Sequence, residues 1–208
     1  MKILALELSS AQGSIAWRED EAEPFVRSFS NDRKHSGLFF QNLRLYSKRF
    51  GAADSIVVGL GPGSYAGVRI SIAAALGLSA AHGAKLIGLP SICAIDTTAR
   101  DYSVIGDARR RSFFFARVTD GRLAEGPSLH SAAELEAKIV ESRAPVYSSE
   151  PLPQFPQATL TFPSALRLAE IARDQSEEIA ETGTLEPIYL RQPHITSPRA
   201  STLPAIKK

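Results

Sequence analysis

The sequence predicts an α/β protein built from two copies of a β-β-β-α-β-α-β-α unit, the second of them reduced. Short apolar runs typical of buried strands alternate with longer stretches of helical periodicity. A glycine-rich turn, from Gly59 to Gly67, joins one of these strands to the longest helical stretch. The order of elements in the first hundred residues then returns in weaker form in the second hundred.

The first unit begins with a three-stranded meander and continues with alternating helices and strands. We predict strands at residues 2–8, 14–18, 24–30, 55–60 and 85–89, and helices at about 36–50 and 64–82. A turn at residues 9–13 connects the first two strands. Pro90 is expected to begin a short helix, because proline suits the first helical turn.

The second unit repeats this pattern with fewer elements. We predict strands at 102–107, 112–119 and 145–148, a further strand beginning at 121–123, and helices at 131–142 and 164–178. Residues 150–163 carry four prolines and are interpreted as a connecting loop. A duplicated unit of this topology is typical of the actin-like ATPase fold, which is ribonuclease H-like. That analogy predicts a fold and does not establish a function.

These patterns divide the chain into three parts. Residues 1–100 form a first lobe that contains the two helices expected to bind a partner. Residues 101–192 form a smaller second lobe. Residues 193–208 combine prolines, hydroxyl residues and a basic end with little apolar content, so we expect a mobile tail.

The composition is that of an ordinary globular protein. Charged residues make up 22% and hydrophobic residues 44% of 208 residues, and the net charge is +2, so composition alone does not indicate nucleic-acid binding. The single cysteine, Cys93, excludes an intrachain disulfide and a thiolate metal site. Without a secretory leader or an apolar run of about 18 residues, the protein is expected to be cytoplasmic.

The helix predicted at 64–82 is apolar on every side. Val68, Ile72 and Ala75 share one face, and a second apolar set lies roughly opposite: Ile70, Ala74, Gly77 and Ala81. A helix that covers one side of a sheet normally has a polar outer face. We therefore expect another helix or another polypeptide to cover the outside of this one.

The helix at 36–50 also has surplus apolar surface, with one stripe of four residues and a second row formed by Leu38 and Leu45. Two such helices could pair with the same two helices of a similar protein, as a homodimer or with a paralogue. Alternatively, both helices are simply buried inside the monomer. The candidate partner interface consists of Leu38, Leu45, Val68, Ile70, Ala73, Ala74, Gly77 and Ala81.

The glycine-rich turn has two interpretations. Free N–H groups at a helix N-terminus can hold an anion, but the turn lacks the Gly-Lys-Ser/Thr of a P-loop and the glycine spacing of a dinucleotide-binding fold. It can equally be a structural turn in which Ser64 caps the helix. The carboxylates at two strand ends, Glu7 and Asp107, could face one cleft. The candidate nucleotide or anion contacts are Gly61, Gly63, Ser64, Arg69 and Asp107.

Four motifs, in order, resemble those of the TsaB (YeaZ) family. Residues 61–70, GPGSYAGVRI, resemble its Gly-Pro-Gly-Ser-Phe-Thr-Gly-Leu/Val-Arg-Ile signature. The other three are RKHS at 33–36, DAR at 107–109 and EPIYLR at 186–191. The sequence departs from the family pattern at Glu7, where an aspartate is usual, and at residues 112–114, SFF, where Glu-Val-Tyr is frequent.

The resemblance implies a non-catalytic dimerisation subunit of the complex that forms N6-threonylcarbamoyladenosine in tRNA. Such a subunit pairs through its first-lobe helices with a catalytic paralogue, TsaD, and a small ATPase, TsaE, joins them. Contact with tRNA is made through the complex. No cofactor is expected on this chain alone, although ATP or ADP could bind at the complex interface.

The residues also bear on metal, hydrolase and kinase chemistry. The four histidines are never four residues apart, so the sequence lacks the His-x-x-x-His pair of a metal site, and a metalloprotease has no support. The run Arg109 to Arg111 is either a tRNA phosphate contact or a solvated loop.

The alternative function is a small-molecule kinase of the same fold. The missing glycine-rich phosphate turn in the second lobe argues against it.

Overall fold

The computed structural model describes residues 1–20, 22–31, 37–176 and 184–191, which form two five-stranded sheets and four α-helices. The first sheet contains β1 (Lys2–Glu7), β2 (Gln12–Glu19), β3 (Phe25–Ser30), β4 (Ser55–Gly59) and β5 (Lys85–Leu89). Its strand order is β3-β2-β1-β4-β5. The helices α1 (Gly37–Phe50) and α2 (Tyr65–His82) belong to this unit, and a 3₁₀ turn follows at Ser91–Ala94.

The second sheet repeats the first. It contains β6 (Asp101–Asp107), β7 (Phe113–Thr119), β8 (Arg122–His130), β9 (Val146–Ser148) and β10 (Thr159–Leu160), in the order β10-β9-β6-β7-β8. In both sheets the first three strands pair antiparallel. The fourth strand pairs in parallel with the first, and the fifth strand pairs in parallel with the fourth. The predicted duplicated unit and its actin-like architecture are therefore confirmed.

The second unit is the reduced one, as predicted. Its helices are α3 (Ala132–Ser142) and α4 (Ala165–Asp174), and residues 149–158, between β9 and β10, form no helix where the first unit has α2. The prediction that residues 150–163 only connect other elements was wrong in one detail. Thr159 and Leu160 pair in parallel with Tyr147 and Ser148 and so add a short edge strand.

The helix ends follow from local chemistry. At α2 the hydroxyl of Ser64 accepts the N–H of Gly67 at 3.2 Å, which confirms the predicted cap. Gly83, with φ of 71°, ends the same helix in the left-handed conformation that glycine adopts readily. At α3, Ser131 and Glu134 form a capping box.

Strand β1 is buried on both faces and so separates two hydrophobic cores. Leu4 and Leu6 pack under α1 and α2, whereas Ile3 and Ala5 face a core shared with the second sheet. Helix α4 lies in that shared core and contacts β1, β2 and β4, although it comes late in the chain. The division into residues 1–100 and 101–192 stays a prediction, and the tail at 193–208 lies outside the described residues.

Among the residues that the structure describes, no helix combines the length and apolar character needed to cross a membrane.

Candidate functional site

The glycine-rich turn brings the start of α2 into direct contact with the end of β1. The N–H of Ser64 donates to the carbonyl of Ser9 at 2.6 Å. A side chain at Gly63 would overlap the Ser9 carbonyl, and one at Gly67 would overlap the Leu8 carbonyl. These glycines are therefore needed for close backbone packing, which favours the structural interpretation of the turn.

Gly61 is held away from any ligand by its own hydrogen bonds. Its N–H donates to the hydroxyl of Ser91 at 3.0 Å, and its carbonyl accepts the N–H of Ser91 at 2.8 Å. The prediction of an anion contact at Gly61 was therefore wrong, since its amide is already satisfied within the chain.

A cleft of about 690 Å³ opens between the two lobes. One wall carries Ser9, Ser10, Ser64 and Tyr65, and the other carries Arg109 and residues 149–150. Of the candidate anion contacts, Gly63 and Ser64 line this cleft, whereas Asp107 lines an adjoining pocket of about 300 Å³. The structure thus brings the glycine-rich turn and the turn after β6 to opposite sides of one opening.

Glu7 does not reach this cleft, because it is completely buried. Its Oε1 accepts the N–H of Ser9 at 2.6 Å, and its Oε2 occupies the space beside Gly59 without a hydrogen-bond partner in the described part of the chain. Burial raises the pKa of the Glu7 carboxyl, and the hydrogen bonds from Ser9 offset this only in part. A carboxyl sealed in this way cannot serve a metal-bound nucleotide in the cleft, so the residues at the end of β1 do not fit such a ligand.

The turn from β6 to β7 holds three consecutive arginines in the left-handed conformation. Arg109, Arg110 and Arg111 have φ values of 64°, 56° and 59°. Asp107 fixes the start of the turn by accepting the N–H of Arg109 at 2.7 Å and pairing with its guanidinium at 3.2 Å. Because L residues other than glycine rarely adopt positive φ, this geometry carries strain of about 1–3 kcal/mol per residue.

Arg69 lies in an aromatic cluster outside the cleft. Its guanidinium carbon is 3.3 Å from the ring centroid of Tyr65 and 5.1 Å from that of Tyr189. It also donates to the Tyr65 carbonyl and to the Tyr189 hydroxyl. The prediction that Arg69 contacts an anion beside Ser64 stays untested, but the structure shows its charge stacked between two rings.

The second candidate site is the outer face of α1 and α2, which we call the α1–α2 face. It exposes three large apolar side chains: Leu38 (43%), Leu45 (52%) and Leu76 (47%). The small residues Ala73, Gly77 and Ala81 are exposed beside them, and Ile70 and Ala74 are half-buried. The expected surplus of apolar surface on α2 is therefore present and uncovered in the monomer.

One residue of the predicted interface was placed on the wrong face. Val68 is 3% exposed and packs in the core under α2, together with Ile72 and Ala75, so it cannot meet a partner. Leu76 belongs to the exposed face and was missed. It follows Ala73 by three residues and therefore lies on the same side of α2, and that signal was available in the sequence. Phe40 is also exposed, but it lies two residues from Leu38 and therefore on another side of α1.

Comparison with known proteins shows to which family this chain belongs. The model of a family described as "TsaD: tRNA N6-adenosine threonylcarbamoyltransferase" matches residues 41–180. The chain belongs to this TsaD family. An uncharacterized protein of Mycobacterium tuberculosis is 34% identical over 143 residues, which cover 67% of this chain and 65% of the relative, so the match spans about two thirds of either protein.

Solved structures show that this TsaD-family chain has the YeaZ fold. A Pseudomonas aeruginosa protein, described as having similarity to peptidase YEAZ, matches with a TM-score of 0.74 and 23% identity, over 91% of this chain and 99% of that chain. YeaZ from the same organism matches with a TM-score of 0.69 and 22% identity over the same shares. Together with the family model, this fold confirms the assignment to the TsaB/YeaZ type.

The part of the chain that the structure describes contains no group of three or more His, Cys, Asp or Glu side chains able to hold a metal ion. His35 and His194 lie outside that part. Ser128 and His130 share a hydrogen bond of 2.8 Å on β8, but neither lines the interlobe cleft or its adjoining pocket.

Proposed function

We propose that this chain is a non-catalytic scaffolding and dimerisation subunit in the formation of N6-threonylcarbamoyladenosine in tRNA. In this proposal it pairs with a TsaD-like catalytic paralogue, and a TsaE-like ATPase joins the complex. The observation that carries the proposal is the uncovered α1–α2 face. The family membership supplies the reaction, and a tRNA substrate implies a cytoplasmic protein.

The chemistry of the α1–α2 face suits a helical partner. Leu38, Leu45 and Leu76 supply apolar area, while Ala73 and Gly77 allow the backbone of a facing helix to approach closely. A paralogue of the same fold would offer the equivalent two helices, giving a pseudo-symmetric four-helix contact. In isolation, the same face would let two copies of this chain form a homodimer.

The proposal assigns no catalysis to this chain because its strand-end carboxyls are already engaged. Glu7 is sealed from solvent, and Asp107 pairs with Arg109. The alternative, a small-molecule kinase, needs an aspartate base, and Asp107, the strand-end aspartate beside the cleft, is held by Arg109. Any ATP or ADP would bind at the interface with the paralogue, where the partner could supply the missing groups.

The Ala73→Glu substitution tests the pairing. Ala73 is exposed in the monomer, so a carboxylate there should leave the fold intact, but it would be buried without a counter-charge in the complex. We expect affinity for the TsaD-like paralogue to fall by at least roughly a hundredfold. Co-elution and titration calorimetry measure the pairing, and threonylcarbamoyl transfer to tRNA by the reconstituted complex should fall in parallel.

Ala133→Glu is the matched control, since Ala133 is an exposed alanine on α3 in the other lobe. It should pair and support transfer like the unchanged protein. Equal pairing by both variants would contradict the proposed interface. Transfer activity by the chain without its paralogue would contradict the non-catalytic role.

A further inference from the structure

Residues in and beside the interlobe cleft form a basic and aromatic surface, which we call the arginine–tyrosine strip. It consists of Arg109, Arg110 and Arg111 on one side and Tyr65, Arg69 and Tyr189 on the other. We propose that this strip binds the phosphodiester backbone of RNA directly. The choice of tRNA as that RNA rests on the proposed function.

The positive charge at one end of the strip is available for a ligand. Arg109 pairs with Asp107, but Arg110 and Arg111 are exposed and have no ion pair within the described residues. The turn holds both in the left-handed conformation, which most residues avoid. Strain of this kind is characteristic of functional sites, and exposed arginines are suited to phosphate oxygens.

The other end of the strip offers rings on which bases can stack. Residues Tyr65 and Tyr189 are 63% and 42% exposed, and their ring centroids lie 6.2 Å apart. The Arg69 guanidinium lies against both rings. Exposed rings beside a positive groove are the usual elements of a surface that binds single-stranded nucleic acid.

The two ends are structurally continuous. Tyr65 and Arg109 line the same cleft, and the hydroxyl residues Ser9 and Ser10 also line it. Residues 184–191, which include Tyr189, also join the ends, because the guanidinium of Arg191 donates to the Ala108 carbonyl at 3.2 Å. A ligand that follows the strip therefore crosses from one lobe to the other along a single surface.

RNA fits the strip better than a free nucleotide or an acidic protein. A nucleotide polyphosphate is bound with Mg²⁺, but Glu7 is buried and Asp107 pairs with Arg109, and Glu150 accepts the Asp107 N–H at 2.8 Å. A protein partner would require a larger apolar centre than two tyrosine rings. A strand of RNA offers both phosphates for the guanidinium groups at one end of the strip and bases for the rings at the other.

The test is binding of unmodified tRNA transcript to the full chain, measured by fluorescence anisotropy between about 50 and 200 mM salt. In the Arg110→Gln/Arg111→Gln variant, we expect Kd to rise roughly tenfold and the slope of log Kd against log salt to fall by about 1.4–1.8. The matched control, Lys85→Gln/Arg143→Gln, removes the same charge from exposed sites elsewhere, one of them also left-handed. It should change Kd less than about twofold.

The aromatic end has its own pair of variants. Tyr65→Ala should weaken tRNA binding by at least about fivefold, while Tyr65→Phe keeps the ring and should restore most of the affinity. Equal binding by the alanine and phenylalanine variants would show that stacking plays no part and would remove the aromatic half of the proposal.

Further outcomes separate this inference from the proposed function. Similar tRNA binding by the arginine variant and its charge control, or no tRNA binding at about 50 mM salt, would overturn it. Displacement of tRNA by Mg-ATP below about 1 mM would assign the arginines to a nucleotide instead. Loss of pairing with the TsaD-like paralogue in the arginine variant would assign them to a protein surface. Loss of pairing by Ala73→Glu alone bears only on the proposed function.

Discussion

Replacing Gly67 with alanine is expected to destabilise the protein by about 3 kcal/mol, because the new methyl group would overlap the Leu8 carbonyl. Backbone cannot move aside as a flexible side chain can, so α2 must separate from the end of β1. Gly77 lies on the same helix with nothing within 4 Å of the position a Cβ would take. Gly77→Ala should therefore stabilise the protein by up to about 1 kcal/mol, since alanine favours helix.

Thermal unfolding of the two variants measures this contrast. For a chain of 208 residues, we expect the Tm to fall by roughly 10 °C in Gly67→Ala and to rise by about 2–4 °C in Gly77→Ala. The pair shares one helix and one substitution, so helix propensity cancels in the comparison. Equal shifts would contradict the close packing of the glycine-rich turn against β1.

Glu7 should make stability fall as the pH rises. Burial raises its folded pKa above the ordinary value of 4.5, so above about pH 4.5 the unfolded chain loses a proton that the folded chain still holds. The free energy of unfolding contributed by this group is therefore highest at low pH. It declines until the pH passes the folded pKa. The total decline is about 1.4 kcal/mol for each tenfold difference between the acid dissociation constants of Glu7 in the folded and unfolded chains.

Glu7→Gln removes this titration while keeping an oxygen that can accept the Ser9 N–H. We expect the variant to be similar to the unchanged protein, or slightly less stable, near pH 4, and more stable than the unchanged protein at pH 8. Denaturant unfolding across this range measures the difference. Glu136→Gln, at an exposed carboxylate on α3, should follow the unchanged protein throughout. Parallel curves for Glu7→Gln would show that Glu7 is not sealed.

Much of the fold could be predicted from local patterns. Strand β5 spans the predicted residues 85–89, and Ser64 caps α2 as its position before the helix indicates. Repetition of the element order also predicted the second sheet. These features depend on neighbouring residues, and neighbours are what a single sequence shows directly.

The site residues depend on contacts between distant parts of the chain, so the sequence predicted them less well. Both faces of α2 are apolar, and the face that includes Val68 is buried where Gly67 packs against the end of β1. Glu7 is sealed by Gly59 and lies close to Ser91, which come much later in the chain. The stacking of Arg69 on Tyr189 likewise requires residues 184–191 to return to the first lobe.

The late position of helix α4 has a consequence for how this protein emerges from the ribosome. Ile3, Ala5 and Ala16 share a core with Leu168 and Ala169, and Leu185 enters the core under α2. The N-terminal strands are thus translated long before the residues that cover them. The nascent chain must expose that apolar surface for most of its synthesis, which makes it a natural client for chaperones that bind at the ribosomal exit.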